Sequence, residues 1–185
     1  MSEDFEIFRD FEPVPEDFFS FETGEQFCKC SLCDCDLMES GRNYLIEKAF
    51  KKGETIFEYA MCFECYLGVQ ETLSINSRKL IHNYFDEHVD VEVRRKELLE
   101  EHGKQAKSWL NNCMIKGTPV SKCNEYQIYG WFVDKHIVFT GMPYMLSGEV
   151  IDELLGLLSD ETIGAIDDLT GKLFGLDLPK GLLVI

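Results

Sequence analysis

The sequence predicts an α+β protein, and three observations support this prediction. Two strand-like pairs are each joined by a short turn, segments with helical periodicity follow each pair, and two Cys-x-x-Cys motifs bracket the first pair. The expected fold is a metal-binding module followed by helices and a C-terminal β-hairpin with two helices. Of the 185 residues, 45% are apolar, which is enough for a hydrophobic core and excludes disorder of the bulk of the chain.

Residues 1–27 form an acidic, phenylalanine-rich N-terminal arm. They hold nine acids against one base and seven of the 14 phenylalanines. Phe5, Phe8 and Phe11 recur every three residues, which predicts a helical stripe that Pro13 ends. Two interpretations follow: the arm folds over the protein's own core, or it docks into a basic, apolar groove of another protein.

Residues 43–50 and 54–61 are rich in Tyr, Ile, Phe and Thr, and Lys51, Lys52 and Gly53 separate them. This composition predicts a β-hairpin. From Cys62 onward the period changes to that of a helix. The residues on the predicted helical stripes are Cys62, Cys65, Tyr66, Val69, Leu73, Leu80, Ile81, Tyr84 and Phe85.

Asp90 is a candidate N-cap for a long helix that Gly103 weakens midway and residues 117–119 end. The expected core stripe of this helix comprises Leu98, Leu99, His102, Ala106, Trp109, Leu110 and Cys113.

Residues 126–133 and 136–140 predict a second hairpin. Ser147 and Ser159 are candidate N-caps of two further helices, and residues 181–185 are a candidate final strand. The domain prediction is a 1–27 arm, a 28–89 zinc-binding module and a 90–185 helical and α+β part, packed with the module as one unit. Whether the two hairpins share a sheet is left open, as is the oligomeric state.

The eight cysteines contain the strongest chemical signal. Cys30 and Cys33 form one Cys-x-x-Cys pair, and Cys62 and Cys65 form a second pair 28 residues later. A two-residue spacer lets both sulfurs of a tight turn face one ion, and two such turns complete a tetrahedron around zinc. Four protein ligands leave no open position, so the expected Zn2+ is structural rather than catalytic.

The order of the predicted elements resembles that of the treble-clef group of zinc fingers. It consists of a Cys-x-x-Cys turn, a hairpin, and a second Cys-x-x-Cys pair that opens a helix. The resemblance covers residues 28–75 and has the paired Cys-x-x-Cys as its only motif. It implies a fold element and a zinc ion, and it implies no activity.

The other four cysteines are less informative. Cys28 and Cys35 flank the first pair and are interpreted as spare thiols, with alternative ligation and a metal-ejecting redox switch as the other interpretations. Cys113 falls on an apolar stripe and is expected in the core. Its pairing with Cys123, as a weaker metal pair or as a nucleophile and its partner, is the alternative.

The net charge of −16 argues against nucleic-acid binding, because that affinity comes from lysine and arginine displacing counterions. No run of about 18 apolar residues predicts a membrane span, and the first residues lack the features of a signal peptide. We therefore expect a cytoplasmic protein in which the cysteines are ligands or free thiols rather than disulfides.

The common hydrolase and nucleotide-binding motifs are absent. His82, His88, His102 and His136 are expected to be structural or solvated, and the segment 144–149 is interpreted as an ordinary loop with an N-cap. The sequence thus favours a non-catalytic interaction or inhibitor protein that acts through its acidic surface on a basic protein partner. The alternative is a cysteine-based redox sensor or a thiol enzyme using Cys113 or Cys123.

Overall fold

One antiparallel sheet of six strands organises the part of the chain that the computed structural model describes, residues 11–175. The strands are β1 (Phe11–Pro13), β2 (Asn43–Lys51), β3 (Glu54–Cys62), β4 (Glu125–Val133), β5 (His136–Val138) and β6 (Tyr144–Ser147). The α-helices are α1 (Phe63–Thr72), α2 (Ile75–His88), α3 (Val91–His102), α4 (Ala106–Trp109), α5 (Gly148–Gly156) and α6 (Asp160–Phe174). The two hairpins, and the helices that follow them along the chain, agree with the α+β prediction.

The two hairpins share this sheet through β2. Strand β2 pairs with β3 on one side and along its whole length with β4 on the other. Strands β5 and β6 divide the opposite edge of β4 between them, and β1 pairs with β5. The resulting order, β1-β5-β4-β2-β3, leaves β2 and β4 in the interior of the sheet.

Both faces of the sheet are covered, because successive side chains of a strand point to opposite faces. On one face Phe18, from the segment before β2, packs edge-on against Phe132 with 5.1 Å between ring centroids. On the other face Phe174, at the end of α6, packs against Phe57 and Tyr59 of β3. Burial on both faces explains why β2 and β3 do not alternate cleanly between apolar and polar residues.

The beginning of the described chain differs from the predicted helical stripe. Phe11 lies in strand β1, paired with Val138 of β5, while Phe5 and Phe8 lie outside the described residues. Phe18 is fully buried, so this part of the arm packs on the protein's own core. A Cβ atom at Gly130 would lie 2.7 Å from the Phe132 ring and 2.9 Å from the Phe18 ring, which explains the glycine in the middle of β4.

The long helix predicted after Asp90 is two helices. Asp90 caps α3 by accepting a hydrogen bond from the Val93 N–H, as predicted, but α3 ends at His102. Gly103 follows with a φ of 57°, a left-handed conformation that glycine adopts without strain and that stops the helix. His102 is consequently exposed at a helix end instead of lying on a core stripe.

The segment interpreted as a loop before Ser147 is strand β6, paired with residues Tyr126 to Tyr129 of β4. Ser147 occupies the N-cap position of α5 but makes no capping bond with its side chain, whereas Ser159 caps α6 by accepting from the Thr162 N–H. The candidate strand 181–185 lies outside the described residues. Among the residues that the structure does describe, no helix is both long and apolar enough to cross a membrane.

Candidate metal centre

The first Cys-x-x-Cys pair lies on a tight turn that its own backbone closes. The Asp34 N–H donates to the Cys30 carbonyl at 2.9 Å, and the Cys30 N–H donates to the Cys35 carbonyl at 3.0 Å. Asp34 adopts a φ of 58°, which aspartate tolerates better than most residues. The turn therefore brings the sulfurs of Cys30 and Cys33, which are three positions apart in the sequence, to the same side of the backbone.

This turn is attached to strand β3. The Ser31 N–H donates to the Ala60 carbonyl at 2.8 Å, and the Ser31 hydroxyl accepts from the Ala60 N–H at 3.2 Å. The Cys62 N–H donates to Cys30 Sγ at 3.4 Å. These bonds hold the first pair beside the end of β3, where the second pair begins.

The second pair lies where β3 becomes α1. Cys62 is the last residue of β3 and the N-cap of α1, and Cys65 lies in the first turn of that helix. Negative charge is stabilised at a helix N-terminus by the macrodipole and the free N–H groups. This effect favours thiolates at both sulfurs, but in the metal-free site the opposing effect of burial is larger.

The four sulfurs of Cys30, Cys33, Cys62 and Cys65 all lie within 4.8 Å of one another. A zinc ion with four Zn–S bonds of about 2.3 Å requires sulfurs separated by about 3.8 Å in a regular tetrahedron. Cys33 Sγ and Cys62 Sγ are 3.7 Å apart. The donor set and its spacing thus fit a tetrahedral metal ion, and the structure brings together the four cysteines that the spacing singles out.

When no cation is bound, protonation of these thiols relieves the repulsion that four crowded thiolates would exert on one another. Burial raises the pKa of Cys62 far above its usual range and raises the pKa of Cys65 to about 12. Cys33 differs, because the Cys35 backbone N–H bonds to its sulfur and lowers its pKa to about 7. Four neighbouring thiolates need a cation among them, so metal binding at this site releases protons.

Arg42 is a neighbour of the site that no sequence motif indicates. Its guanidinium donates to Cys35 Sγ at 3.8 Å, lies 3.7 Å from the Glu64 carboxylate and also pairs with Glu39. A zinc ion with four thiolates carries a net charge of about −2, which a nearby guanidinium partly offsets. Arg42 precedes β2 and belongs to no recognisable motif, so its position beside the cysteines is apparent only in the folded chain.

The remaining cysteines lie outside the four-sulfur cluster. Cys28 is exposed and donates to the Gln26 carbonyl, while Cys35 adjoins the cluster through contacts with Cys33 and Cys62. Cys113 is buried, as predicted, and its sulfur accepts from the backbone N–H and the hydroxyl of Ser147. Within residues 11–175, the metal-compatible cluster contains no histidine.

A buried carboxyl group lies at the centre of the sheet, away from the cysteines. Glu47 of β2 is fully buried between Tyr59 of β3 and Tyr129 of β4, with Tyr144 of β6 beside Tyr129. Tyr59 donates a hydrogen bond to one carboxyl oxygen, and the other oxygen has no partner in the described structure. Burial raises the pKa of Glu47 well above its ordinary value, so the group is held as a neutral acid in the core.

Comparison of the chain with protein-family models, with curated proteins and with solved structures found no match. The site's chemistry is therefore inferred from its own geometry.

Proposed function

We propose that Cys30, Cys33, Cys62 and Cys65 bind a structural zinc ion in a treble-clef-like module spanning residues 28–75. The observation that carries the proposal is the set of four sulfurs within 4.8 Å of one another. The order of turn, hairpin and helix supports the treble-clef comparison. Four thiolates in a tetrahedral arrangement favour zinc over the hard cations, and they leave no position for a catalytic water.

We further propose that the protein is a non-catalytic interaction or inhibitor protein, working in a reducing compartment such as the cytoplasm, with an acidic surface directed at a basic protein partner. The supporting surface is the acidic loop, defined here as residues 20–25, which contains Phe21, Glu22 and Glu25. The Phe21 side chain is 75% exposed, more than any other large apolar side chain of the described residues. Exposed aromatic side chains surrounded by charge are common anchors of protein interfaces.

The acidic loop presents Phe21 from a fixed backbone. The Phe21 N–H donates to both carboxylate oxygens of Glu58, at 2.8 and 2.9 Å, and Glu58 pairs with Lys48 at 3.1 Å. Neither Glu22 nor Glu25 forms an ion pair within residues 11–175, so both charges are available to a partner. An anchor that is already ordered loses less conformational entropy on binding.

The experiment that tests this surface is affinity capture of partners by the full chain and by two variants. Phe21→Ser combined with Glu22→Gln removes the proposed anchor, and Ile75→Ser removes an apolar side chain of 65% exposure on helix α2 as a matched control. We expect a basic protein that is retained by the wild type and the control, lost with the double variant, and released by salt. A basic partner that the double variant retains as well as the wild type does would contradict this surface.

A redox sensor is the second candidate, and one observation favours it. The Cys35 thiol adjoins Cys33 and Cys62 without belonging to the four-sulfur cluster. Peroxide could oxidise the zinc-bound Cys33 thiolate and the Cys35 thiol to a disulfide. The two sulfurs supply two electrons, the Cys35 thiol supplies one proton and solvent supplies the other, so peroxide is reduced to two water molecules and the zinc loses a ligand. Stoichiometric zinc release by mild peroxide that Cys35→Ser abolishes would support a sensor, and retention of zinc would exclude it.

A further inference from the structure

A cavity with a volume of about 470 Å³ lies between helix α2 and the β4–β6 side of the sheet, outside the metal centre. Its floor is apolar and largely aromatic, and includes Trp131, Tyr144, Phe85 and Met142. Small-molecule sites typically have volumes of about 300 to 1,000 Å³ and apolar walls with a few polar groups. The cavity therefore has the size and lining of a site for a small organic ligand.

Three polar residues of the cavity lining lie on one face of α2. Arg78, His82 and Asp86 follow one another at intervals of four residues, which places them along one edge of the opening. His82 and Asp86 lie 3.2 Å apart and pair with each other. Arg78 forms no hydrogen bond or ion pair through its side chain with the other residues between 11 and 175, so its charge faces the opening without a partner.

A second cation lies behind the wall formed by residues 140–143. The Arg94 guanidinium donates to the carbonyls of Gly141, Pro143 and Trp109 at 3.1 to 3.3 Å. Its donors are thus occupied, but no carboxylate of the described residues pairs with it. Burial accordingly lowers the pKa of Arg94 to about 10. An uncompensated charge in a region of low dielectric raises the electrostatic potential of the space beside it.

We propose that this cavity binds a small carboxylate with an apolar, aromatic body. The body packs against Trp131, Tyr144 and Phe85, and the carboxylate meets Arg78 at the opening, in the field of Arg94. Such a ligand matches both properties of the cavity. An uncharged apolar ligand leaves Arg78 unpaired, and a cation is repelled by both arginines. Asp86, the one carboxylate among the described lining residues, is already paired with His82. Arg78 would thus bind an anion in a chain whose net charge of −16 opposes the approach of anions.

The test uses three probes with the same apolar body: naphthylacetate, naphthylethanol and naphthylethylamine. Each is titrated into the zinc-loaded full chain by calorimetry. For naphthylacetate we expect one site with a Kd on the order of 0.1 to 1 mM, at least about tenfold tighter than the alcohol, with the amine weakest.

An NMR titration locates the binding. The chain has two tryptophans, and both indole N–H groups are hydrogen-bonded, Trp131 to Asn43 and Trp109 to Gly103. Trp131 lines the cavity and Trp109 does not. We expect the Trp131 indole resonance to shift on saturation with naphthylacetate while the Trp109 resonance stays in place.

Two exposed substitutions on α2 test the role of charge without disturbing the core. Arg78→Gln is expected to weaken naphthylacetate about tenfold and to leave naphthylethanol unchanged. Lys79→Gln removes the neighbouring charge, which does not line the cavity, and is expected to change neither affinity. Absence of saturable naphthylacetate binding, equal affinity for the amine, or an Arg78→Gln affinity equal to that of the wild type would each overturn the proposal.

Discussion

Two glutamates of neighbouring strands illustrate how position determines the behaviour of a single residue. Glu47 and Glu58 lie in β2 and β3, but on opposite faces of the sheet. Glu47 is enclosed by tyrosines with one oxygen unpartnered, whereas Glu58 accepts from Ser20, from the Phe21 N–H and from Lys48. Their pKa values consequently move in opposite directions, and each makes the stability of the protein depend on pH with the opposite sign.

Glu47→Gln is expected to abolish a pH-dependent decrease in stability that the wild type shows as pH rises to neutral. Burial raises the folded-state pKa of Glu47 well above the unfolded value of 4.5, so the folded state holds a proton that the unfolded state releases. The wild type therefore loses stability as pH rises from about 4.5 towards the folded pKa, and the amide does not. Urea denaturation between pH 5 and 8 measures this. If the wild type and Glu47→Gln have parallel pH profiles, Glu47 is not a buried neutral acid.

Glu58→Gln is expected to have the opposite effect. Although burial raises the pKa of Glu58, the hydrogen bonds from Phe21 and Ser20 and the contact with Lys48 outweigh it and lower the pKa below 4.5. The stability that this carboxylate contributes is present above the unfolded pKa and is lost as pH falls through the folded pKa. The variant should therefore be less stable than the wild type at pH 7 and show a shallower decline on acidification. Equal free energies of unfolding at pH 7 would show that Glu58 does not anchor the acidic loop.

At the scale of the elements, β4 depends on the absence of a side chain at Gly130. Gly130→Ala would place a methyl group against Phe132 and Phe18, both fully buried, and overpacking of this kind costs about 1 to 3 kcal/mol. Gly164→Ala, in α6 with open space around it, is the matched control and should stabilise the protein by about 0.5 to 1 kcal/mol. Chemical denaturation compares the two. A Gly130→Ala variant as stable as the wild type would mean that the Phe18 segment does not pack closely on β4.

The local elements were predictable where a short-range signal exists. Both hairpins follow from β-forming residues around short turns, and the caps at Asp90 and Ser159 follow from side chains that compete for backbone N–H groups. Strand β6 was missed because it has only four residues, all buried, and so has no alternation to detect. The helical stripe assigned to Phe11 was wrong, because a three-residue spacing does not by itself specify a helix, and Phe11 pairs with Val138 of β5.

The candidate site was predictable to the same degree. Cys-x-x-Cys spacing is local, so the pairs Cys30/Cys33 and Cys62/Cys65 could be recognised from the sequence. The position of Arg42 could not, because its contacts with Cys35 and Glu64 form only in the folded chain. The burial of Glu47 could not, because it depends on pairing across the sheet. In a strand covered on both faces, the pattern of Leu45, Glu47 and Ala49 does not reveal which side chains are withdrawn from water.

At the scale of the whole molecule, one metal ion would join separate parts of the chain. The first Cys-x-x-Cys turn precedes β2, the second pair links β3 to α1, and β2 pairs this hairpin with β4. A structural zinc can contribute on the order of 10 kcal/mol to folding at neutral pH, which is comparable to the stability of a whole domain. Loss of the metal should therefore destabilise the sheet as well as the module.

The most direct test of the metal centre is elemental analysis with a thiol count, on protein purified under reducing conditions without added metal. The account predicts one zinc ion per chain. It also predicts that Cys30, Cys33, Cys62 and Cys65 are protected from thiol reagents until a chelator removes the zinc, in addition to Cys113, which is buried in the core. Cys62→Ser should lose the zinc, and Cys113→Ser, which alters a buried cysteine outside the cluster, should retain it. Metal-free protein in which Cys30, Cys33, Cys62 and Cys65 all react at once would contradict the account.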